Sequence, residues 1–409
     1  MPRPRKNAPK PNTQELSLVP VEDQPYPLPE GWKWVRLGDV AEVIMGQSPS
    51  GSDTTDDDSY TPLIGGASDM GHLYPKATKY TKRPTKLSNE TDIIVCIRAT
   101  LGRPIFSTGE YCLGRGVAAI RSEKIFCRFT RFLFINFEQY LYDNATGTTF
   151  AQVNSDTLKK MPIPLPPLDE QERIVTRIES LFAKLDEAKE KAEAVLDSFE
   201  TRKAAILHKA FTGELTAKWR EEKGIGKESW KETILMHVCE YLKAGGDKPE
   251  DFVEEKDNIR KIPVVANGIS NDGIIGYTAH TKYDGHTVTI SGRGAIGFSI
   301  FRDYAYYPVV RLIVIKPKQC LDAKFLKYTF EAFPEKGTGS SIPQLTVPMI
   351  KDKPIFYPSL PEQQEITRIL DSLLEKEQQS KEAAETVLEQ IDLMKKAILA
   401  KAFRGELGN

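Results

Sequence analysis

The sequence predicts a mixed α/β protein. Two globular α/β domains are joined by two long helices, which form an antiparallel intramolecular coiled coil with pseudo-two-fold symmetry. Three observations predict this: a helical segment occurs twice at an offset of 192 residues, a globular segment of similar size precedes each copy, and the two globular segments share short motifs. A chain of 409 residues is long enough for two or three domains.

The repeat begins at Leu168-Asp-Glu-Gln-Glu-Arg-Ile174 and returns as Leu360-Pro-Glu-Gln-Gln-Glu-Ile366. It runs without gaps to Ala-Phe-x-Gly-Glu-Leu at 210–215 and at 402–407. Apolar residues recur in steps of four and three, as in a coiled-coil seam. Arg202 interrupts the first seam, and Glu377 and Ser380 interrupt the second. The predicted seam residues are Ile174, Ile178, Leu181, Leu185, Val195, Phe199, Ile206, Ile366, Leu370, Leu373, Val387, Ile391, Met394 and Ile398.

Local signals mark both ends of each helix. Pro166-Pro167 precedes the first helix, and Ser359 with Glu362 predicts a capping box for the second. Gly213 and Gly405 stand where helices stop. A lone helix would leave its seam in water, and the path of the chain favours antiparallel pairing of the two copies. The alternative is that each helix packs on its own neighbouring domain.

The sequence divides into six segments. The first is Pro-rich with scattered Arg and Lys, which is typical of a flexible arm. The predicted segments are the arm at 1–25, the first globular domain at 26–165, the first spacer helix at 166–216, a polar linker at 217–229, the second globular domain at 230–357 and the second spacer helix at 358–409.

The two globular segments carry related motifs and β-rich runs. Ile97–Gly102 parallels Gly292–Gly297, and 147–152 parallels 339–344. The runs and their bounding Gly, Asn and Asp residues predict strands at 92–97, 286–290 and 309–315, with helices near 130–142 and 323–333.

Composition and motifs exclude several classes of protein. The 56 Lys and Arg balance 57 Asp and Glu, so the chain is not a polycation, and no apolar run is long enough for a membrane span. The five dispersed cysteines are typical of reduced thiols in the cytoplasm. Residues 221–228 lack the first glycine and the Ser/Thr of a P-loop. We find no nucleophile motif, metal-ligand spacing or cofactor loop, so no catalytic residue, metal or cofactor is predicted for this chain.

Several cations are candidate DNA contacts, although each also fits a solvated loop. Net charge singles out neither domain: 26–160 holds 16 Lys and Arg against 15 Asp and Glu, and 230–353 holds 17 against 15. Local features therefore identify three groups of candidates. A basic run around Tyr80 suits phosphates, and arginines beside glycines suit guanine edges. Weaker positions lie in the second domain. In that order they are Lys76, Lys79, Lys82, Arg83 and Lys86; Arg98, Arg103, Arg115 and Arg293; and Lys282, Arg302 and Ser340.

Four motifs carry a family resemblance: Leu-Pro-Pro-Leu-Asp-Glu-Gln171, its echo Tyr-Pro-Ser-Leu-Pro-Glu-Gln363, the twin Ala-Phe-x-Gly-Glu-Leu endings and Leu28-Pro-Glu-Gly-Trp32. With these motifs, residues 26–409 resemble the specificity subunit of type I DNA restriction–modification systems. The resemblance implies a non-catalytic subunit whose two target-recognition domains each read one half of a split sequence in double-stranded DNA, with the helices as a spacer.

The resemblance also implies partners. Two modification subunits would carry S-adenosylmethionine and methylate adenine, and restriction subunits would supply translocation and cleavage driven by ATP and Mg²⁺. The polar faces of the helices are mildly acidic, which favours docking of the modification subunits over contact with phosphate. A coiled-coil scaffold whose two domains bind proteins or other ligands is the alternative function.

Overall fold

The computed structural model describes residues 18–147, 150–335, 337 and 343–407. The chain forms two compact units. Unit 1 runs to Lys191 and resumes at Val387, and unit 2 is Ala192–Thr386. Each unit therefore contains one globular domain and parts of both long helices. We call the described residues of 18–165 head 1 and those of 217–357 head 2.

Head 1 combines short strands with four helices of 4 to 10 residues. Its helices are α1 (Leu37–Val40), α2 (Cys127–Asn136), α3 (Glu138–Asp143) and α4 (Ser155–Lys160). Its strands are β1 (Lys33–Arg36), β2 (Glu42–Met45), β3 (Thr54–Thr55), β4 (Thr61–Ile64), β5 (Lys79–Thr81), β6 (Ile93–Cys96), β7 (Gly102–Phe106), β8 (Cys112–Leu113), β9 (Val117–Arg121) and β10 (Pro162–Leu165).

The first long helix follows head 1, and the second follows head 2. The helices are α5 (Leu168–Phe211), α6 (Ala217–Lys223), α7 (Ala323–Ala332), α8 (Val347–Ile350) and α9 (Leu360–Phe403). The strands of head 2 are β11 (Lys231–Ile234), β12 (Cys239–Ala244), β13 (Ile262–Val265), β14 (Ile274–Thr278), β15 (Thr287–Ile290), β16 (Ser299–Arg302), β17 (Tyr307–Pro308), β18 (Ile313–Pro317) and β19 (Pro354–Tyr357).

The two heads share one topology, except that the second sheet of head 1 has one more strand. An antiparallel sheet has the order β2-β9-β6-β7 in head 1 and β12-β18-β15-β16 in head 2. A second sheet, β3-β5-β4-β8 or β14-β13-β17, contains one parallel pair in each head. The strands that open and close each head pair as antiparallel ribbons, β1 with β10 and β11 with β19. The faint motif similarity between the two segments therefore reflects a common fold.

Both predicted arrangements of the long helices occur. In unit 1, the core unites Phe129 of α2 with Ile174 and Ile178 of α5 and Phe403 of α9. The core of unit 2 unites Phe325 of α7 with Leu207 of α5 and with Ile366 and Leu370 of α9. The ends of the helices thus pack on the heads and on each other.

Side-chain pairs link α5 to α9 within each unit. Asp186 Oδ1 lies 2.5 Å from Lys395 Nζ in unit 1. In unit 2, Arg202 Nε donates to Glu377 Oε2 at 2.7 Å, and Lys381 lies over the ring of Phe199. On α5, Arg202 follows Phe199, whereas on α9 its partner Glu377 precedes Lys381. The two helices therefore run antiparallel in unit 2. The two polar residues that interrupt the predicted seams, Arg202 and Glu377, thus face each other.

The predicted seam is wrong at two positions. Val387 and Met394 are 38% and 43% exposed, whereas Ile391 is 2% exposed. Leu388 and Lys395 are half-buried instead. In this part of α9, the buried face therefore lies one residue later than the seam pattern predicts at these two positions. The remaining predicted seam residues are buried or half-buried: Ile174, Ile178, Leu181, Leu185, Val195, Phe199, Ile206, Ile366, Leu370, Leu373, Ile391 and Ile398.

The helix stops are confirmed, but the capping box is wrong. Gly213 and Gly405 adopt φ of +78° and +74° just beyond the two helices, a conformation that favours glycine. Ser359 does accept the backbone N–H of Glu362 through its carbonyl oxygen, but the Glu362 side chain points elsewhere. Its Oε1 accepts hydrogen bonds from Arg220 Nη1 at 2.6 Å and from Thr216 Oγ1 at 2.8 Å.

The segments predicted as an arm and a linker are partly structured. Val19 is buried, and its N–H donates to the carbonyl of Trp34, so residues 18–25 pack on head 1. Residues 1–17 lie outside the described residues. Helix α6 occupies the first half of the predicted linker and supplies Arg220.

The predicted strand at 309–315 is too long. Strand β18 begins only at Ile313, because Val310 and Arg311 adopt φ of +52° and +60° in a turn. The strands predicted at 92–97 and 286–290 and the helix predicted near 323–333 are confirmed, with small shifts of boundary. The helical stretch predicted near 130–142 is confirmed as two helices, α2 and α3, with a break at Phe137.

Candidate nucleic-acid interface

Arg98 lies directly beyond the end of the central strand β6 of head 1. Its Nε and Nη2 both donate to Oε1 of Gln152, at 3.1 and 2.9 Å. The N–H of Val153 donates to the carbonyl of Ile97 at 3.0 Å, which holds Gln152 beside the strand end. The exposed guanidinium is thus oriented by a neighbouring amide rather than free to swing.

Arg115 lies in a turn that precedes β9. The turn is closed by the N–H of Val117, which donates to the carbonyl of Gly114, and the Arg115 Nε lies 3.3 Å from Ser48 Oγ. A Cβ at Gly114 would stand 2.9 Å from Cα of Gly65, and one at Gly116 only 2.3 Å from its carbonyl oxygen. These two glycines therefore permit close packing within head 1.

Arg98 and Arg115 meet in one cleft of about 400 Å³. The cleft is also lined by polar groups of Thr146, Gln152 and Asn154. Two guanidinium groups with amide and hydroxyl neighbours form a set of directed donors and acceptors. Such a set matches the edge of a base, and above all the two acceptors of guanine in the major groove.

The predicted basic run ends beside the turn that carries Arg115. Its five cations are exposed, namely Lys76, Lys79, Lys82, Arg83 and Lys86. Lys82 stands over the ring of Tyr60 at 5.6 Å from its centroid, and Lys79 lies 4.0 Å from Asp56. The carbonyl of Lys86 accepts the N–H of Leu113, so the end of the run adjoins the turn that carries Arg115. Exposed cations of this kind suit phosphate contacts.

Arg103 is placed differently from Arg98 and Arg115. Its backbone adopts φ of +48°, and its guanidinium lies 3.4 Å from the carbonyl oxygens of Ala67 and Met70. It does not line the cleft. The structure therefore separates it from the other two arginines, although its side chain remains exposed.

Head 2 has a corresponding strand end and turn. The N–H of Leu345 donates to the carbonyl of Gly292 at 2.8 Å, as Val153 does to Ile97, and Arg293 follows in the position of Arg98. The N–H of Leu312 closes the matching turn on the carbonyl of Val309 at 3.1 Å. Arg311 is exposed in this turn.

Sequence reasoning missed Arg311 because the apolar run around it reads as a strand. The aligned turn of head 1, Gly114-Arg-Gly, was the available signal. A valine with positive φ, as at Val310, is rare and strained, and such strain is concentrated at functional sites.

Asn267 ties the strand end of head 2 to this turn. Its Oδ1 accepts the N–H of Gly292, and its Nδ2 donates to the carbonyl of Val310, both at 2.7 Å. Arg293 and Arg311 are therefore held on one connected loop surface. Lys282 is exposed, and its Nζ lies 5.2 Å from the centroid of the Tyr307 ring.

Arg302 is not available for a DNA contact. It is 1% exposed, and its guanidinium donates to Thr289 Oγ1, the Tyr304 hydroxyl and the carbonyl of Asp272 at 2.6 to 3.0 Å. Its charge is used to hold the interior of head 2 together. Ser340 and most of the 337–341 loop lie outside the described residues.

The described part of the chain does not meet the requirements of a metal site or a membrane-spanning helix, and its Cys96 and Cys239 do not meet those of a reactive thiol. Residues 18–147, 150–335, 337 and 343–407 contain no group of three His, Cys, Asp or Glu side chains able to hold a metal ion. Burial raises the pKa of the Cys96 thiol to about 11 and that of Cys239 to about 12, which keeps both thiols protonated and unreactive near neutral pH. Among the helices described, none is both long and apolar enough to cross a membrane.

Comparison with known proteins gives a consistent result. The type I restriction modification DNA specificity domain matches twice, at residues 29–196 and 227–390. The specificity subunit of the type I restriction enzyme EcoKI of Escherichia coli is 24% identical, covering 93% of this chain and 90% of the relative. A putative type I specificity subunit of Mycoplasma pneumoniae is 29% identical, covering 66% of this chain and 69% of the relative.

A solved structure shares the fold. The HsdS subunit of Thermoanaerobacter tengcongensis superposes with a TM-score of 0.65 at 21% identity, covering 93% of this chain and 99% of that one. The two matches of the domain cover most of the chain and coincide with the two copies of head and helix. The chain belongs to the family of type I restriction–modification DNA specificity subunits.

Proposed function

We propose that head 1 and head 2 each read one half of a bipartite sequence in double-stranded DNA, with α5 and α9 setting the separation between the halves. One observation carries this proposal. At the same strand end and the same turn, head 1 presents Arg98 and Arg115 whereas head 2 presents Arg293 and Arg311. Arg115 is the second residue of its turn and Arg311 the third, so a common frame presents its donors differently in the two heads, which suits two different half-sites.

Direct readout by these arginines accounts for specificity in the proposal. A guanidinium donates two hydrogen bonds to a guanine edge, and each good pair contributes about 1–3 kcal/mol of discrimination. Lys76 to Lys86 and Lys282 supply phosphate contacts. Both heads are nearly neutral overall, so sequence-independent attraction is weak, and partner subunits that enclose the duplex supply part of the affinity.

The partners in this proposal are two modification subunits and the restriction subunits, acting together in the cytoplasm. The modification subunits hold S-adenosylmethionine and methylate adenine, and the restriction subunits use ATP and Mg²⁺. This chain contributes recognition and leaves the chemistry to them. The polar faces of α5 and α9 and the adjoining sides of the heads provide the docking surface.

The test is selection of binding sites from randomised duplex DNA by the complex of this chain with its modification subunit. We expect enrichment of two short motifs separated by a gap of constant length. Enrichment of one continuous motif would contradict the bipartite reading. No enrichment by a complex that assembles and binds S-adenosylmethionine would favour the alternative of a scaffold whose heads bind proteins.

A further inference from the structure

Unit 1 has an open groove between head 1 and the long helices. The groove has a volume of about 960 Å³. Its apolar surface comes from Phe106 of β7, Phe132 and Ile135 of α2, Phe182 of α5 and the ring of Tyr74, which is 53% exposed. A groove that combines aromatic rings with arginine is typical of sites that bind a protein.

Arg131 of α2 lies in the wall of this groove with unused hydrogen-bonding capacity. Its Nε is buried and has no hydrogen-bond partner. Its guanidinium carbon stands 5.6 and 5.7 Å from the ring centroids of Phe106 and Phe132. Among the described residues, no carboxylate lies within ion-pair distance of it. Burial lowers the pKa of Arg131, and the attraction of the Glu179 carboxylate offsets this only in part.

Neighbouring cations of the groove are paired. Arg128, one turn earlier on α2, lies 3.1 Å from Glu179 of α5. Lys395 of α9 lies 2.5 Å from Asp186. The free donors of Arg131 therefore do not result from a general lack of carboxylates at this surface.

Unit 2 has the matching groove, but its own side chains fill that corner. Lys324 of α7 lies 3.0 Å from Asp371, the counterparts of Arg128 and Glu179. Lys327, in the position of Arg131, lies 2.8 Å from Glu331, and the hydroxyl of Tyr328 donates to Asp371 at 2.5 Å. The groove of unit 2 has a volume of only about 320 Å³.

We propose that the unit 1 groove is the docking site for an amphipathic protein segment that inserts apolar side chains between α2 and α5 and presents a carboxylate to Arg131. The inference rests on the proposed function, in which this segment belongs to a modification subunit. An aromatic-flanked arginine whose buried Nε lacks a hydrogen-bond partner in the free protein has the character of an interface hot spot. A duplex is a poor occupant, because Glu90, Glu179 and Asp186 balance most of the positive charge of the groove and leave no strong attraction for phosphates.

The experiment titrates the full-length chain with its purified modification subunit and follows association by calorimetry. We expect Arg131→Glu to weaken association by at least about tenfold and Arg131→Lys to weaken it less, because a lysine keeps the charge but loses the fork of donors. Tyr74→Ala removes an exposed ring without opening the core and should weaken association by severalfold. Lys33→Glu, a charge reversal at an exposed position of β1 outside the groove, is the matched control and should have no effect.

The outcomes separate the inference from the function on which it rests. If the wild-type chain binds the modification subunit and the Arg131 and Tyr74 variants bind it equally well, the docking site is wrong and the proposed function stands. If the wild-type chain does not bind the modification subunit, the proposed partnership itself fails. If Arg131→Glu lowers affinity for duplex DNA but leaves subunit association unchanged, the groove binds phosphate and the inference is overturned.

Discussion

The two junctions between a head and its following helix are built alike. Gln171 accepts the N–H of Phe126 through Oε1 at 2.9 Å and donates through Nε2 to the carbonyl of Pro166 at 3.0 Å. Gln363 likewise accepts the N–H of Asp322 at 2.8 Å and donates to the carbonyl of Pro358 at 2.9 Å. Both glutamines are buried. Each therefore fixes the start of α2 or α7 against the start of the long helix that follows its head.

The residue before each glutamine shows where the two units differ. Glu362 is buried and binds Arg220, which α6 supplies. Its counterpart Glu170 is half-buried and binds Arg173 of its own helix at 2.8 Å. The turns that carry Arg115 and Arg311 also differ in conformation. The comparison indicates that the hydrogen bonds joining head to helix are common to both units, while local surroundings and exposed turns have diverged.

The largest expected effect is a difference in the free energy of unfolding between variants of Glu362 and of Glu170. Glu362→Gln leaves Arg220 buried without its counter-ion, and we expect the free energy of unfolding of unit 2 to fall by about 3–5 kcal/mol. Glu170→Gln breaks an ion pair with substantial solvent exposure and should cost at most about 1 kcal/mol. Urea denaturation of the two variants measures both values. Equal losses would contradict the difference between the junctions.

The second prediction concerns the seam of α9. Ile391→Lys replaces a buried apolar side chain and should lower the free energy of unfolding by about 2–4 kcal/mol. Val387→Lys, one turn earlier at an exposed position, should change it by less than about 0.5 kcal/mol. Thermal and urea unfolding of both variants measure the difference. If Val387→Lys lowers the free energy of unfolding more than Ile391→Lys does, Val387 belongs to the seam, as the sequence predicts.

The third prediction tests the likeness of the junctions. Gln171→Leu and Gln363→Leu each leave buried backbone groups without partners, so each should cost about 1–3 kcal/mol of its unit's stability. Gln364→Leu, at an exposed neighbouring position, is the control. Hydrogen exchange read separately over α2 and α7 measures the effect in each unit. A loss confined to one unit would show that the two junctions are not equivalent.

Sequence patterns predicted the long helices well, because a four-three seam and a terminal glycine are local signals and the repeat supplies each twice. The partner of Glu362 was beyond such reasoning: Ser359 and Glu362 satisfy the capping-box pattern, while Arg220 lies 142 residues earlier in the chain. Arg302 similarly shows no sequence signal that its charge is buried. Arg98 and Arg115 were predicted separately, but their meeting in one cleft depends on how β6 and the turn before β9 fold together.

The last prediction concerns one buried thiol in each unit and applies only at alkaline pH. Folding raises the pKa from 9.0 to about 11 for Cys96 and to about 12 for Cys239. Above pH 9 the unfolded chain loses these protons while the folded chain keeps them, so stability falls as pH rises from 9 to about 11. Replacing both cysteines with alanine should make this fall shallower in a series of urea titrations. An unchanged slope would show that the two thiols do not contribute.

The central claim is that two similar heads read two different half-sites. Arg115→Ala and Arg311→Ala test it when each variant is expressed with the modification subunit and the methylated motif is mapped by methylation-sensitive sequencing. We expect each variant to lose discrimination in one half of the motif, a different half for each variant, while the other half and the gap stay unchanged. If either variant methylates DNA but alters both halves together, or if both variants alter the same half, the heads do not read independently and the account is contradicted.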